Sequence, residues 1–143
     1  MEILRHILAV IAGLVTGSII IYLIQIIGHQ IFPPPAGVDP TDPESLHMYS
    51  ESISAGALWM VILAYAAGAF TGGFVAALIA PKTARIVALV TGGIFTVFGI
   101  INLMLIPHPV WFIFVSLSVY LPFAFLGYLT ASSIKSRNKH FEA

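Results

Sequence analysis

The chain has 143 residues, of which 59% are hydrophobic and 8% charged, with no cysteine. Soluble domains carry roughly 25% charged residues, so this composition cannot cover a water-facing surface, and its wealth of Leu, Ile, Val and Phe equally excludes disorder. Six Lys and Arg balance six Asp and Glu, which leaves no basic field to hold nucleic acid; without thiols there are no disulfides and no cysteine-ligated metal.

A membrane-crossing helix needs about 20 largely apolar residues at 1.5 Å rise each. The first such run, residues 7–27, contains no Asp, Glu, Lys or Arg. It exceeds the roughly 7–15-residue apolar core of a cleavable leader, and no small-residue cleavage site follows it, so it reads as a retained span. Gly13 and Gly17 are four residues apart within it, the spacing that lets helix backbones approach closely in lipid. Tyr22 and Gln25 lie near its far end, with His29 just beyond.

The loop over 28–55 holds Asp39, Asp42, Glu44 and Glu51 and no basic residue. Phe32-Pro33-Pro34-Pro35 cannot be helical and is expected to run as extended polyproline. Ala36-Gly37-Val38-Asp39-Pro40 reads as a turn. Thr41 or Asp42 then caps a short helix over about 43–53, with Pro43 in its first turn and Glu44 near the positive dipole end. Leu46, Tyr49 and Ile53 share one face, suited to lying on the bilayer or lidding a bundle. His47 and Glu51 share another at i, i+4, and the helix breaks near residues 54–56.

Three further charge-free runs follow, over 56–80, 86–106 and 110–134. The second carries Trp59 near its start and the Gly68/Gly72 pair around Thr71. The third carries Thr91-Gly92 and, one turn before its end, Asn102. The fourth carries Trp111, Ser116, Ser118, Pro122 and Gly127-x-x-Thr130, and Pro122 is expected to kink it. The connections at 81–85 and 107–109 are so short that these three runs must be antiparallel neighbours.

Every Lys and Arg lies on one side of this layout: Arg5 before the first span, Lys82 and Arg85 between the second and third, Lys135, Arg137 and Lys139 after the fourth. Positive residues mark the cytoplasmic side, so both termini are expected there, with the acidic loop and the Pro107-His108-Pro109 turn outside. The expected architecture is an all-α membrane protein: one domain over 1–143, a four-transmembrane-helix bundle with a short interfacial helix in its first outer loop.

The two ends of this bundle are furnished differently. In the cytoplasmic half each span threonine has a small neighbour, and Gly13, Gly17, Gly68, Gly72, Gly92 and Gly127 read as helix-packing positions rather than a substrate path. The outer half carries Gln25, His29, Asn102, His108, Trp111 and Ser116, a candidate ligand-binding set for which interhelical hydrogen bonding is the competing explanation. His29, His47, Glu51 and His108 offer imidazole and carboxylate donors suited to Zn or Cu, yet they come from separate segments and no HExxH spacing joins them. Ser52 and Ser54 lie close in sequence to His47 and Glu51, but no strained nucleophile turn accompanies them, which disfavours an enzyme. The absence of ionisable residues within the spans disfavours a proton- or ion-coupled carrier; an oligomeric pore or carrier for a small neutral solute remains as an alternative. The reading that demands least is a self-associating binding or structural module that holds a periplasmic ligand or lipid headgroup, with no resident cofactor.

Two stretches, Phe32-Pro33-Pro34-Pro35-Ala36-Gly37-Val38-Asp39-Pro40 and Asn102-Leu103-Met104-Leu105-Ile106-Pro107-His108-Pro109-Val110-Trp111-Phe112, resemble segments of an uncharacterised family of small bacterial four-span inner-membrane proteins. That resemblance implies a bacterial inner membrane and an outward-facing emphasis, and brings no activity or ligand with it.

Overall fold

A computed structural model describes residues 1–39 and 41–141, the last three as helix backbone. Five α-helices and one short turn of 3-10 helix follow in chain order: α1 (Glu2–Ile31), α2 (Pro43–Ser52), α3 (Ala55–Ile79), the 3-10 turn (Pro81–Thr83), α4 (Ala84–Leu105) and α5 (Val110–Phe141). There is no strand among the described residues. The four long helices are each long and apolar enough to cross a membrane, and the chain is an all-α, multi-pass membrane protein. Its outer surface agrees: Ile11, Val15, Ile19, Leu63, Val97 and Phe114 are each more than half exposed, a surface suited to lipid and costly in water.

Helices α1 and α5 overrun their apolar runs, whereas α3 and α4 stop one residue short of theirs, at Ile79 and Leu105. The stretch 7–27 is the middle of α1, and 110–134 is the first part of α5. Hydropathy stops at a charge, whereas the i to i−4 hydrogen-bond ladder continues through Glu2, Arg5, Lys135 and Arg137. Pro122 lies inside α5 without ending it.

At the start of α2, Asp42 is the cap; its carboxylate accepts the Glu44 and Ser45 backbone N–H groups at 3.3 and 3.1 Å. Ser54 caps α3 in the same way, accepting the Ala57 N–H at 3.2 Å, so the break between the helices is fixed on its α3 side by one side-chain oxygen. Gly37 turns the preceding loop at φ 97°, a backbone conformation that favours glycine. Pro40, at the end of the expected turn, lies outside the described residues.

Helix α3 is the central element. Half of its apolar window is buried, against 17% for α1, and it packs on α1, α4 and α5. Its composition permits this, because Ala and Gly recur on every side. A Cβ placed on Gly13 would stand 2.5 Å from the Gly72 carbonyl oxygen, and one on Gly17 2.5 Å from that of Gly68. Gly73 lies against the Ala124 backbone, Gly127 against the Phe70 carbonyl, and Gly92 against the Ala124 methyl. The helices here touch through their backbones. Thr16, Thr71, Thr91 and Thr130 each donate to the carbonyl four residues earlier, at 2.7–2.9 Å, so their hydroxyls are satisfied within their own helices.

Toward the other end the small residues give way to large ones. Leu58, Ile62 and Phe112 form a buried cluster with Val61, Tyr65 and Leu103 packed on it. Below it Tyr120 stacks between Tyr65 and Phe95, with ring centroids at 5.3 and 6.4 Å. Phe95 lies over Gly17 and Gly72, and Tyr120 over Gly99, so these rings fill hollows that the glycines leave.

Charge is sorted along the same axis. At the glycine-rich end Arg5 Nε donates to the Ile79 carbonyl at 2.5 Å and Lys135 Nζ to that of Leu78 at 2.8 Å. They satisfy the last carbonyls of α3, which have no partner within the helix and carry its negative dipole end. Lys82 and Glu2 pair nearby at 3.3 Å, both exposed. The acidic residues Asp39, Asp42, Glu44 and Glu51 belong to the loop and α2 at the opposite end.

Candidate functional site

At the end of the bundle opposite the cations, a cavity of about 220 Å³ opens between α1, α3 and α4 beneath α2. Gln25 and His29 stand one turn apart on α1 and so share a face. The His29 ring donates from Nδ1 to the Gln25 backbone carbonyl at 2.7 Å. Asn102 comes from the last turn of α4, and its own carbonyl accepts the Ile106 N–H that ends that helix. His108 follows in the Pro107–Pro109 turn, where two prolines prevent the helix from continuing. Its Nδ1 donates to the Ile106 carbonyl at 2.6 Å, and its ring stacks on Phe112 at 4.8 Å between centroids. Phe112 is fully buried, so this imidazole is anchored to the core.

A carbonyl oxygen only accepts, so each imidazole carries its proton on Nδ1 when neutral. Nε2 of both rings is then a lone-pair acceptor. Leu58, Val61 and Tyr65 supply an apolar wall, and Leu46, Tyr49 and Ile53 approach from α2 and its end. Among the described residues no Asp, Glu, Lys or Arg lines the cavity. Burial pushes the His108 pKa below its ordinary value, and the bond to Ile106 pulls it partly back.

The convergence of Gln25, His29, Asn102 and His108 on one cavity follows the grouping expected from sequence; two other members of that set lie elsewhere. Ser116 is buried in the packed interior and donates to the Ile113 carbonyl at 3.2 Å. Trp111 turns outward and lies against Trp59, 5.6 Å between ring centroids. Neither lines the cavity. Residues 111 and 116 lie on a helix that is apolar on nearly every side, so spacing alone does not reveal which face turns inward.

The expected metal set is also divided. His29 and His108 line the cavity, but His47 and Glu51 are exposed and pair with each other at 3.8 Å. Among the described residues no three His, Asp or Glu side chains are grouped to hold an ion. The cause is the rotation of α2: directing Leu46 and Tyr49 to the cavity turns positions 47 and 51 to solvent. Ser52 and Ser54 are engaged locally, Ser52 donating to the Tyr49 carbonyl and Ser54 capping α3. Asp39 is likewise a loop-ordering group. The Thr41 hydroxyl and backbone N–H both bond its Oδ1, at 2.7 and 2.8 Å, and hold its carboxyl below the usual range.

Sequence reasoning missed Tyr65 and Phe32 as parts of the site. Leu58, Val61 and Tyr65 follow an i, i+3, i+7 spacing that could have marked the wall. Phe32 was legible only as part of the proline run; it folds back so closely that a Cβ on Gly56 would meet its ring at 2.6 Å. No protein-family model, curated protein or solved structure matches the chain.

Proposed function

We propose that this is a binding module of the bacterial inner membrane, which holds a small ligand or lipid headgroup at its periplasmic end. One observation carries the reading. Two carboxamides and two oriented imidazoles line one cavity beneath an amphipathic helix, while in the opposite half α1 and α3 close on each other by backbone contact and the groove between α1 and α4 is almost wholly apolar. Placing the cations on the cytoplasmic side puts both termini there and turns the cavity outward. The likeness of the 32–40 and 102–112 segments to small bacterial inner-membrane proteins supports the same placement. A neutral-solute pore could not run between α1 and α3, because Gly13 and Gly17 lie against Gly72 and Gly68. Self-association belongs to this reading as well, since the exposed apolar flanks of the long helices offer surface to a second copy as readily as to lipid.

The test is native mass spectrometry of protein released from membranes, comparing wild type with the Asn102→Leu/His108→Leu double variant. Wild type is expected to retain a bound molecule that the variant loses, and to melt no lower than the variant. If neither retains anything and the variant melts higher, these residues serve packing and the proposal fails.

A further inference from the structure

We infer that the cavity takes an uncharged, hydroxyl-bearing head group carried on a lipid tail, an inference that rests on the cavity being a binding site and specifies its chemistry. Among the described residues the lining contains no carboxylate, ammonium or guanidinium, and its ionisable groups apart from the tyrosine phenols are the imidazoles of His29 and His108. In this half-open cavity an ammonium head would meet no negative charge, and a phosphate head no positive charge except that of an imidazole it must first cause to be protonated.

The imidazoles narrow the choice further. With Nδ1–H of His29 and His108 committed to the Gln25 and Ile106 carbonyls, the free ring nitrogens are two acceptors. An ester, ketone or quinone head, which only accepts, leaves both lone pairs unmatched. An ammonium donates but brings the uncompensated charge. A hydroxyl donates to Nε2 while accepting from the amide groups of Gln25 and Asn102, and it is neutral.

Size and position supply the rest. The volume of about 220 Å³ equals roughly seven waters at ~30 Å³ each. That is below the roughly 300–1,000 Å³ of pockets that enclose drug-sized ligands, but enough for a glycerol or single sugar unit. Gln25 lies six residues before the end of α1 and Asn102 three before the end of α4, or about 9 and 4.5 Å along the axes. The cavity is therefore at headgroup depth, and the exposed Ile26, Ile101 and Met104 beside it offer apolar surface to a tail. Helix α2 makes no broad contact with any long helix, yet its Leu46 and Tyr49 face the cavity. A head group beneath them completes the packing of α2.

The experiment places the full chain in phosphatidylcholine nanodiscs, prepared through an amine-oxide detergent because sugar detergents carry the proposed head group. Glucosyl diacylglycerol is added to one sample, its fully O-methylated analogue to a second, phosphatidic acid to a third and millimolar glucose to a fourth. Melting temperature and amide exchange over residues 44–52 are read in each. The glycolipid is expected to raise the first and slow the second, and the other three to leave both unchanged. Asn102→Leu/His108→Leu is expected to weaken the glycolipid effect roughly tenfold or more, as loss of two hydrogen bonds implies. His47→Gln, outside the cavity, is expected to retain it.

An equal response to the methylated analogue or to phosphatidic acid overturns the hydroxyl chemistry while the cavity stands as a binding site. An equal response to free glucose overturns the lipid tail. No response to any addition, together with no retained molecule in the mass measurement above, overturns the binding site itself.

Discussion

Gly13 and Gly93 are both helical glycines, and replacing each by alanine separates backbone contact from helix propensity. Both substitutions gain the same preference of alanine over glycine, roughly 0.5–1 kcal/mol, so that gain cancels in their difference. What remains is space. The new methyl at 93 meets nothing within 4 Å. At 13 it lies 2.5 Å from the Gly72 carbonyl oxygen and 3.1 Å from the Ala76 methyl. Ordinary contact begins at 3.4 Å, so α1 and α3 must part by about 0.9 Å at a point where backbone, not a flexible side chain, is in the way. Overpacking of this kind costs about 1–3 kcal/mol, and a rigid partner places the expected difference near the upper end. Thermal unfolding in one detergent, followed by Trp59 and Trp111 fluorescence, is the assay. Gly13→Ala is expected to melt several degrees below Gly93→Ala, with Gly93→Ala at or above wild type. Equal melting temperatures would refute the close approach of α1 to α3.

Two further outcomes are expected. Burial depresses the His108 pKa in the folded state, so the unfolded chain binds more protons below about pH 6.5. Stability is therefore expected to fall as the solution is acidified from neutral through that depressed value, and His108→Gln to show a smaller fall; equal slopes in the two proteins would contradict this. Asp42→Ala removes the carboxylate that accepts two N–H groups, worth about 1 kcal/mol. It is expected to speed amide exchange of residues 44–46 about fivefold without lowering the global melting temperature, because α2 is short and lightly held.

The four spans are legible because each offers about 20 residues without an ionised side chain, a pattern that few other structures in water or lipid can accept. The cavity's polar set is legible for a related reason. Gln25, His29, Asn102 and His108 all lie near helix ends that an even number of spans sorts to one side, so their shared end of the bundle follows from topology, while the packing of α1 beside that end, across the long 28–55 loop, does not. Rotation about a helix axis is not legible in the same way. Helix α5 is apolar on nearly every side, and nothing in its residues tells that Ser116 turns into the core and Trp111 away from it. In α2 the Leu46/Tyr49 face was readable, but whether it met lipid or the bundle depended on the tertiary fold, and that choice carried His47 and Glu51 away from the cavity.

The most direct measurement of an outward-opening cavity above a closed half uses the absence of native cysteine. Single replacements Asn102→Cys, Thr91→Cys and Ser133→Cys are exposed in intact spheroplasts to a thiol reagent that does not cross membranes, then again after lysis. Asn102→Cys is expected to label in intact cells, Ser133→Cys only after lysis, and Thr91→Cys, fully buried in the packed half, in neither. Labelling of Asn102→Cys only after lysis, with Ser133→Cys reached from outside, would contradict the outward-facing site.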